Sequence, residues 1–260
     1  MKNRSSVFLV AVLVALIVFG MGNLVNAAPK AEELKIWSAW PEKADPSTPG
    51  LQLLISMINE KGKAVNLKAR YVGGPEVFNP FEGAASLQKG VVDIEYTAGA
   101  YTTGVVPIYV PLIKALGATG VNTAGGEVYT ALERGTVDGF WWGGREIRTW
   151  GWQEVCKYIW GPPFWTVDVY VMMNKKKWDS LDPAQRDVLT KAMMEYEHMT
   201  YDAQIKGQAD ITKDLLAKGM KEIKFSPADE KWYINMAYTE GWKAALQKSP
   251  RVKELQALEK

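Results

Sequence analysis

One histidine and one cysteine are all that a chain of 260 residues offers to the usual nucleophile–base and metal constellations. His198 lies in Glu195-Tyr196-Glu197-His198-Met199. It has no serine or cysteine neighbour in a nucleophile motif, so it reads as a helix surface residue. Cys156, in Glu154-Val155-Cys156-Lys157-Tyr158, follows an apolar register and reads as a small core residue. A single cysteine cannot close an internal disulfide, and with a single histidine it cannot build a Cys/His zinc cluster. A carboxylate-rich cation site stays open on this count. G-x-S-x-G, H-E-x-x-H and G-x-x-x-x-G-K-S/T strings are absent from the sequence. Gly73-Gly74 and Gly143-Gly144 read as turns, too short for phosphate loops. A hydrolase working with paired carboxylates leaves no spacing to read and is kept as an alternative. Nothing in the sequence asks for a cofactor.

Tryptophan is the abundant resource, with eleven in the chain. Trp37, Trp40, Trp141, Trp142, Trp150, Trp152, Trp160 and Trp165 fall in predicted strands and the turns after them. A large aromatic can serve as core or as the wall of a small-ligand pocket. Trp40 and Trp142 stand at the carboxyl ends of predicted strands, where open parallel sheets form their ligand crevice. Trp141-Trp142-Gly143-Gly144-Arg145 would supply both wall and cation. A guanidinium can hold a carboxylate through two parallel hydrogen bonds. Core and wall are both open readings for Trp142 and Trp141.

The elements that must position these residues alternate between strand and helix. Leu34–Trp40 reads as a strand stopped by Pro41. Leu51, Leu54, Ile55 and Ile58 repeat at helical spacing, with Gly62 past the end. Val65 to Tyr71 alternates as a half-buried strand closed by Gly73-Gly74-Pro75. A short helix over 80–89, capped by Gly90, precedes a strand over 91–96. Helices follow at 111–116 and 127–134, then strands at 136–141 and from Val167 to Met173. Asp182-Pro183 opens a long helix to about Lys218, with Val188, Leu189, Ala192, Met193 and Tyr196 on its buried face. Ser226-Pro227-Ala228-Asp229 starts a further helix, and the remainder reads helical to the end. This order predicts an α/β fold with a largely parallel sheet. Leu87-Gln88-Lys89-Gly90-Val91-Val92-Asp93 is echoed by Leu132-Glu133-Arg134-Gly135-Thr136-Val137-Asp138. Such junctions occur in any α/β protein, and two copies also suit a related unit in each of two lobes.

The first segment speaks to compartment. Lys2 and Arg4 precede an apolar run from Val7 to Phe19 and a small-residue tail ending Ala27-Ala28, the layout of a cleaved secretory signal. The run is too short for the roughly 30 Å hydrocarbon core of a bilayer. The whole chain carries 31 basic and 29 acidic residues, and cleavage after Ala27 would leave 29 of each. A chain so balanced has no basic excess for phosphates, which argues against a nucleic-acid partner.

Three segments carry a family resemblance: Gly73-Gly74-Pro75-Glu76-Val77-Phe78, the run from Ala85 to Asp93, and Gly126-Glu127-Val128-Tyr129-Thr130-Ala131-Leu132-Glu133-Arg134-Gly135-Thr136-Val137-Asp138-Gly139. With Asn174-Lys175-Lys176-Lys177-Trp178-Asp179-Ser180-Leu181, they resemble solute-binding proteins of tripartite ATP-independent periplasmic (TRAP) transporters. The matches run in order from about residue 34 to 218. The resemblance implies a type II periplasmic-binding fold of two lobes with a long helix spanning both. On that basis residues 1–27 are a signal peptide and 28–260 the solute-binding domain. Residues 34–106 are mostly lobe 1, 107–174 mostly lobe 2, and 175–260 helices across both. It further implies a periplasmic carrier, not an enzyme, that captures a small organic acid and delivers it to the membrane permease. Trp142 falls where oxo-acid-binding members carry a Trp, Tyr101 where members place a ligand-contacting Tyr, and Trp40-Pro41 matches the first-strand end of that subgroup.

One departure bears on the site. Between Asp93-Ile94-Glu95-Tyr96 and Pro111 the family normally has several tens more residues, including second-lobe strands and an Arg that clamps the ligand carboxylate. That Arg has no counterpart here, so either Arg145 or Arg148 substitutes, or the chain binds weakly or not at all. The alternatives to a working carrier are therefore a shortened, non-binding remnant and a secreted carboxylate-based enzyme.

Overall fold

The computed structural model describes residues 28–42, 50–102, 109–121, 123–164 and 168–257. The signal-peptide reading, the passage across 103–108 and the lead into the strand from Val167 lie outside the described residues. Strand β1 (Glu32–Ser38) forms the middle of a four-stranded sheet. Helix α1 (Leu51–Gly62) carries the chain to β2 (Leu67–Tyr71), which pairs parallel to β1 with Leu34 opposite Ala69. Helix α2 (Gly83–Lys89) leads to β3 (Ile94–Ala98), parallel to the other edge of β1. The final strand, β5 (Val169–Met173), runs antiparallel to β3 and completes the order β2-β1-β3-β5. A largely parallel sheet was expected, and this one is parallel in three strands of four.

Leu34, Ile36, Trp37, Leu54, Ile58, Leu67 and Tyr96 are buried to within about 1% in one core around this sheet. The alternation of Leu67 and Ala69 with exposed Lys68 and Arg70 shows why the segment is a strand with one wet face. Gly90 takes φ +76°, and its N–H and that of Val91 close the last turn of α2 onto Leu87 and Ser86.

Helix α8 (Pro183–Ala217) is 35 residues long, some 50 Å at about 1.5 Å per residue. Asp182 caps it: its carboxylate accepts from Ala184 N, and Gln185 reaches back to Asp182 N. Leu189, Ala192 and Tyr196 press on the first core, whereas Ile211 and Leu215 belong to a second one. That second core adds Val128 from α5 (Gly125–Glu133), Ile147 from α6 (Gly144–Thr149), Trp152 and Met220. A third group joins Leu112 of α4 (Tyr109–Ala115) to Tyr233 and Ala237 of α9 (Pro227–Lys248).

Several expectations need correction. Residues 136–141 form no strand, although their composition suits one. The echo of the first junction holds through the helix end: Gly135 takes φ +65°, and Thr136 N bonds Ala131 O at 2.9 Å. It then diverges. Asp93 is buried and accepts from Lys35 N at 2.8 Å, stitching the start of β3 to β1, while Asp138 is exposed. A strand persists only where its backbone finds a ladder, and residues 136–141 have none. Trp142 accordingly follows no strand end. A two-stranded parallel sheet that the periodicity did not reveal joins β4 (Tyr158–Trp160) to β6 (Lys221–Ile223). Three residues per strand are too few to show a period. The C-terminal segment is also not one helix, since α9 stops at Lys248 before a short α10 (Val252–Gln256).

Candidate functional site

Trp40 sits two residues past β1. Its N–H donates to Ser38 Oγ at 3.0 Å, and Ala39 N donates to Tyr96 O at 2.9 Å, so the chain end is fixed before Pro41 turns it away. Tyr101 lies in α3 (Gly99–Thr102), the turn of helix that follows β3 directly. The two side chains meet edge to face, with centroids 6.0 Å apart. Tyr96 meets Trp40 edge-on at 5.7 Å, and exposed Phe81 reaches Tyr101 at 5.1 Å. Parallel β1 and β3 thus carry an aromatic group at their carboxyl ends, where such sheets place ligands. Both Trp40 and Tyr101 are buried, at 4% and 7% exposure.

Trp142 lies between α5 and α6 and packs against both the first and the second core. Trp150, just past α6, does the same. Trp142 meets Trp152 edge-on at 5.4 Å, and Trp150 lies nearly parallel to Trp152 at 6.1 Å. The seam between the two cores is therefore floored by indoles. Trp141 goes elsewhere. Its Nε1–H donates to Tyr233 Oη at 3.3 Å, and its ring meets Trp160 at 5.0 Å. Only Trp142 of the pair therefore packs against both cores at the seam. Burial pushes the Tyr233 phenol up, and the Trp141 N–H works against that.

Arg145 has its backbone in α6, and its side chain lies outside the described residues. Arg148 faces Asp214 of α8, Nη1 to Oδ2 at 3.5 Å, on an exposed surface. The structure thus brings Trp40 and Tyr101 together, puts Trp142 where the two cores meet, and carries Trp141 into the third aromatic group.

Reactive chemistry stays thin. His198 is exposed on α8, as expected. Cys156 is half-buried beside the second core, and burial raises its thiol pKa against the pull of Lys157, the reverse of an activated nucleophile. Among the described residues no group of three or more His, Cys, Asp or Glu side chains is placed to hold a metal.

Two features escaped the sequence reading. Nothing in the spacing of Trp150 and Trp152 sets them apart from core tryptophans. Glu95 lies inside a strand and belongs to no motif. It is fully buried on β3, and that burial pushes its carboxyl up to about 7. Among the described residues no hydrogen-bond donor reaches either of its oxygens. The signal was there: a carboxylate in Ile94-Glu95-Tyr96-Thr97-Ala98, where every neighbour is a core type.

The fold is that of two-lobe solute-binding proteins of known structure. An extracytoplasmic solute receptor from Bordetella pertussis, solved with pyroglutamic acid, is similar over 88% of this chain and 100% of its own, with TM-score 0.78 and 13% identity. A TRAP periplasmic solute-binding protein from Desulfovibrio salexigens, solved with orotic acid, is similar over 87% and 96%, with TM-score 0.78 and 16% identity. In sequence, a solute-binding protein from Albidiferax ferrireducens is 26% identical over 164 residues, 62% of this chain and 48% of that protein. Residues 107–247, more than half of the chain, match the bacterial extracellular solute-binding proteins of family 7, and the chain belongs to that family. It spans between about a third and a half of the length of the curated relatives it matches. No helix among the described residues is long and apolar enough to cross a membrane.

Proposed function

We propose that this chain is the extracytoplasmic solute-binding subunit of a TRAP-type secondary transporter, taking up a small organic acid and passing it to a membrane permease. It binds and releases without turnover. The observation that carries the reading is the pair Trp142 and Trp150, each packed against both cores at the seam where a two-lobe carrier holds its solute. Apolar walls with a few placed polar groups are what a small-ligand site requires. Trp40 and Tyr101 wall the first-lobe side, Trp142 the seam, and Arg145 supplies the cation for the carboxylate, with Trp141 buttressing from the third aromatic group. Lobe 1 is drawn mostly from residues 34–106 and lobe 2 mostly from 107–174, with 175–260 crossing both. The chain is exported to the periplasm and loses residues 1–27 on the way. Family membership and the acids held by the similar solved receptors support this assignment.

The test is a titration of the processed chain with pyroglutamate, orotate, 2-oxo acids, dicarboxylates and sugar acids, read by intrinsic tryptophan fluorescence. Saturable binding of one class is the expected result. Arg145→Ala should weaken it by about tenfold or more, the size of a lost charge-assisted bond. One observation favours a second reading: residues 136–141 lack the ladder that their composition suits, as in a shortened remnant that no longer binds. Flat titrations across the panel would select that remnant.

A further inference from the structure

The aromatic rings at the carboxyl ends of β1 and β3 form one row. Tyr96 meets Trp40, Trp40 meets Tyr101 and Tyr101 meets Phe81, each edge to face, with centroids 5.7, 6.0 and 5.1 Å apart. Exposure rises along the row, from 0% at Tyr96 through 4% at Trp40 and 7% at Tyr101 to 45% at Phe81. The inner rings are covered, and the ring that the row turns to solvent is Phe81. A solute reaching the carboxyl ends of the strands, where parallel sheets receive their ligands, meets that ring first.

Phe81 stands on a fixed base. It lies in the single helical turn Pro80–Glu82, whose Pro80 is buried. Asn79 holds that turn twice: its side chain accepts from Phe81 N at 3.0 Å, and its carbonyl from Glu82 N at 2.8 Å. On the other side Gly83 is packed so closely that a Cβ would lie 2.2 Å from Glu95 Oε1 and 2.9 Å from the Trp37 ring. The turn is thus anchored at both ends. Phe78, three residues earlier, takes the opposite course and stacks on Trp37 at 4.3 Å against the first core. An apolar ring held out in water on an anchored turn is preorganised for contact, because little freedom is left to lose on binding.

We propose that Phe81 is a specificity-determining residue of the solute site, offering its ring to the body of the bound acid while Trp40 and Tyr101 position it from behind. This inference rests on the solute-binding reading above. A phenyl ring has neither donor nor acceptor and contributes through buried area and ring geometry. It therefore leaves the carboxylate to the cation. It favours acids built on a ring, whose broad face can lie on the phenyl, over short acyclic ones. The class assigned is a ring-bearing carboxylate.

The test is a calorimetric titration of the wild type, Phe81→Ala and Phe81→Tyr with two sets of acids. Pyroglutamate, orotate and galacturonate carry rings; pyruvate and succinate do not. The wild type should bind a ring-bearing acid most tightly. Phe81→Ala should weaken that acid about tenfold and the acyclic acids by less than about twofold, and Phe81→Tyr, which keeps the ring, should restore the difference. Val91→Ala removes an exposed apolar side chain at the amino end of β3 and should leave every affinity within about twofold. Because Phe81 is exposed, the thermal midpoint of Phe81→Ala should stay within about 2 °C of the wild type, which separates lost binding from lost fold. If the wild type binds only acyclic acids, or Phe81→Ala binds ring-bearing acids as tightly as before or loses all acids alike, the inference is wrong and the carrier reading stands. If the folded wild type binds none of the acids, both are overturned.

Discussion

Glu95 shows how much a single residue can ask of its surroundings. On β3 it is paired in register with Trp37 and Met172, with Gly83 of α2 above it. A Cβ on Gly83 would sit 2.2 Å from Glu95 Oε1 and 2.9 Å from the Trp37 ring. Gly83→Ala must therefore displace a buried carboxyl or an indole that also stacks on Phe78 at 4.3 Å. A loss of about 1–3 kcal/mol in urea-induced unfolding is expected, the usual cost of overpacking. The carboxyl also sets a pH dependence. Unfolded it titrates near 4.5, folded near 7. Between those values the folded chain keeps a proton that the unfolded chain has released, so stability falls as pH rises through the window and levels off above it. The size is about 3 kcal/mol at most. Glu95→Gln should flatten the thermal midpoint between those pH values, and an unchanged slope would contradict this origin. Glu32 acts with the opposite sign. The hydrogen bond from Lys177 lowers its pKa, so its contribution is lost only as pH falls into the acid range.

At the scale of elements, the N-terminal end of α8 fastens the sheet. Gln185 is 1% exposed, and its amide donates to Lys30 O at 2.8 Å and Val65 O at 3.0 Å, the chain ahead of β1 and the turn before β2. Gln185→Ala removes these bonds and the capping contact to Asp182 together. About 2–3 kcal/mol of unfolding free energy should be lost, since the buried amide's two bonds to part-buried carbonyls and its capping contact go together. Asp182→Ala, which takes only the cap, should cost about 1 kcal/mol. Comparing the two in one denaturation series checks the ranking. This helix was legible in the sequence because Asp-Pro and the Val188, Leu189, Ala192, Met193, Tyr196 spacing are local signals. Residues 136–141 misled for the converse reason. Strand composition is local, but strand formation needs a neighbour, and that neighbour is a property of the fold. Strands β4 and β6 went unseen because each is three residues long and mostly exposed.

For the whole molecule, α8 ties the cores together by burying its first half in one and its second half in another. Lys61 and Glu195 add an exposed ion pair at 2.7 Å between α1 and α8, a contact of little net worth beside the buried stripe. The architecture and the aromatic character of the site could be read from strand–helix order and tryptophan content. The division of labour within Trp141-Trp142 could not, because it depends on which core each ring meets. Trp142→Ala should therefore weaken solute binding, whereas Trp141→Phe, which loses a bond to Tyr233 in the third group, should change stability and spare affinity. The most direct measurement is the tryptophan fluorescence of the processed wild-type chain titrated with small carboxylic acids. A saturable change with one acid class, diminished in Trp142→Ala, is the result predicted for a carrier whose solute lies at the indole seam. A flat response to every acid, from a chain shown by circular dichroism to be folded, would contradict it.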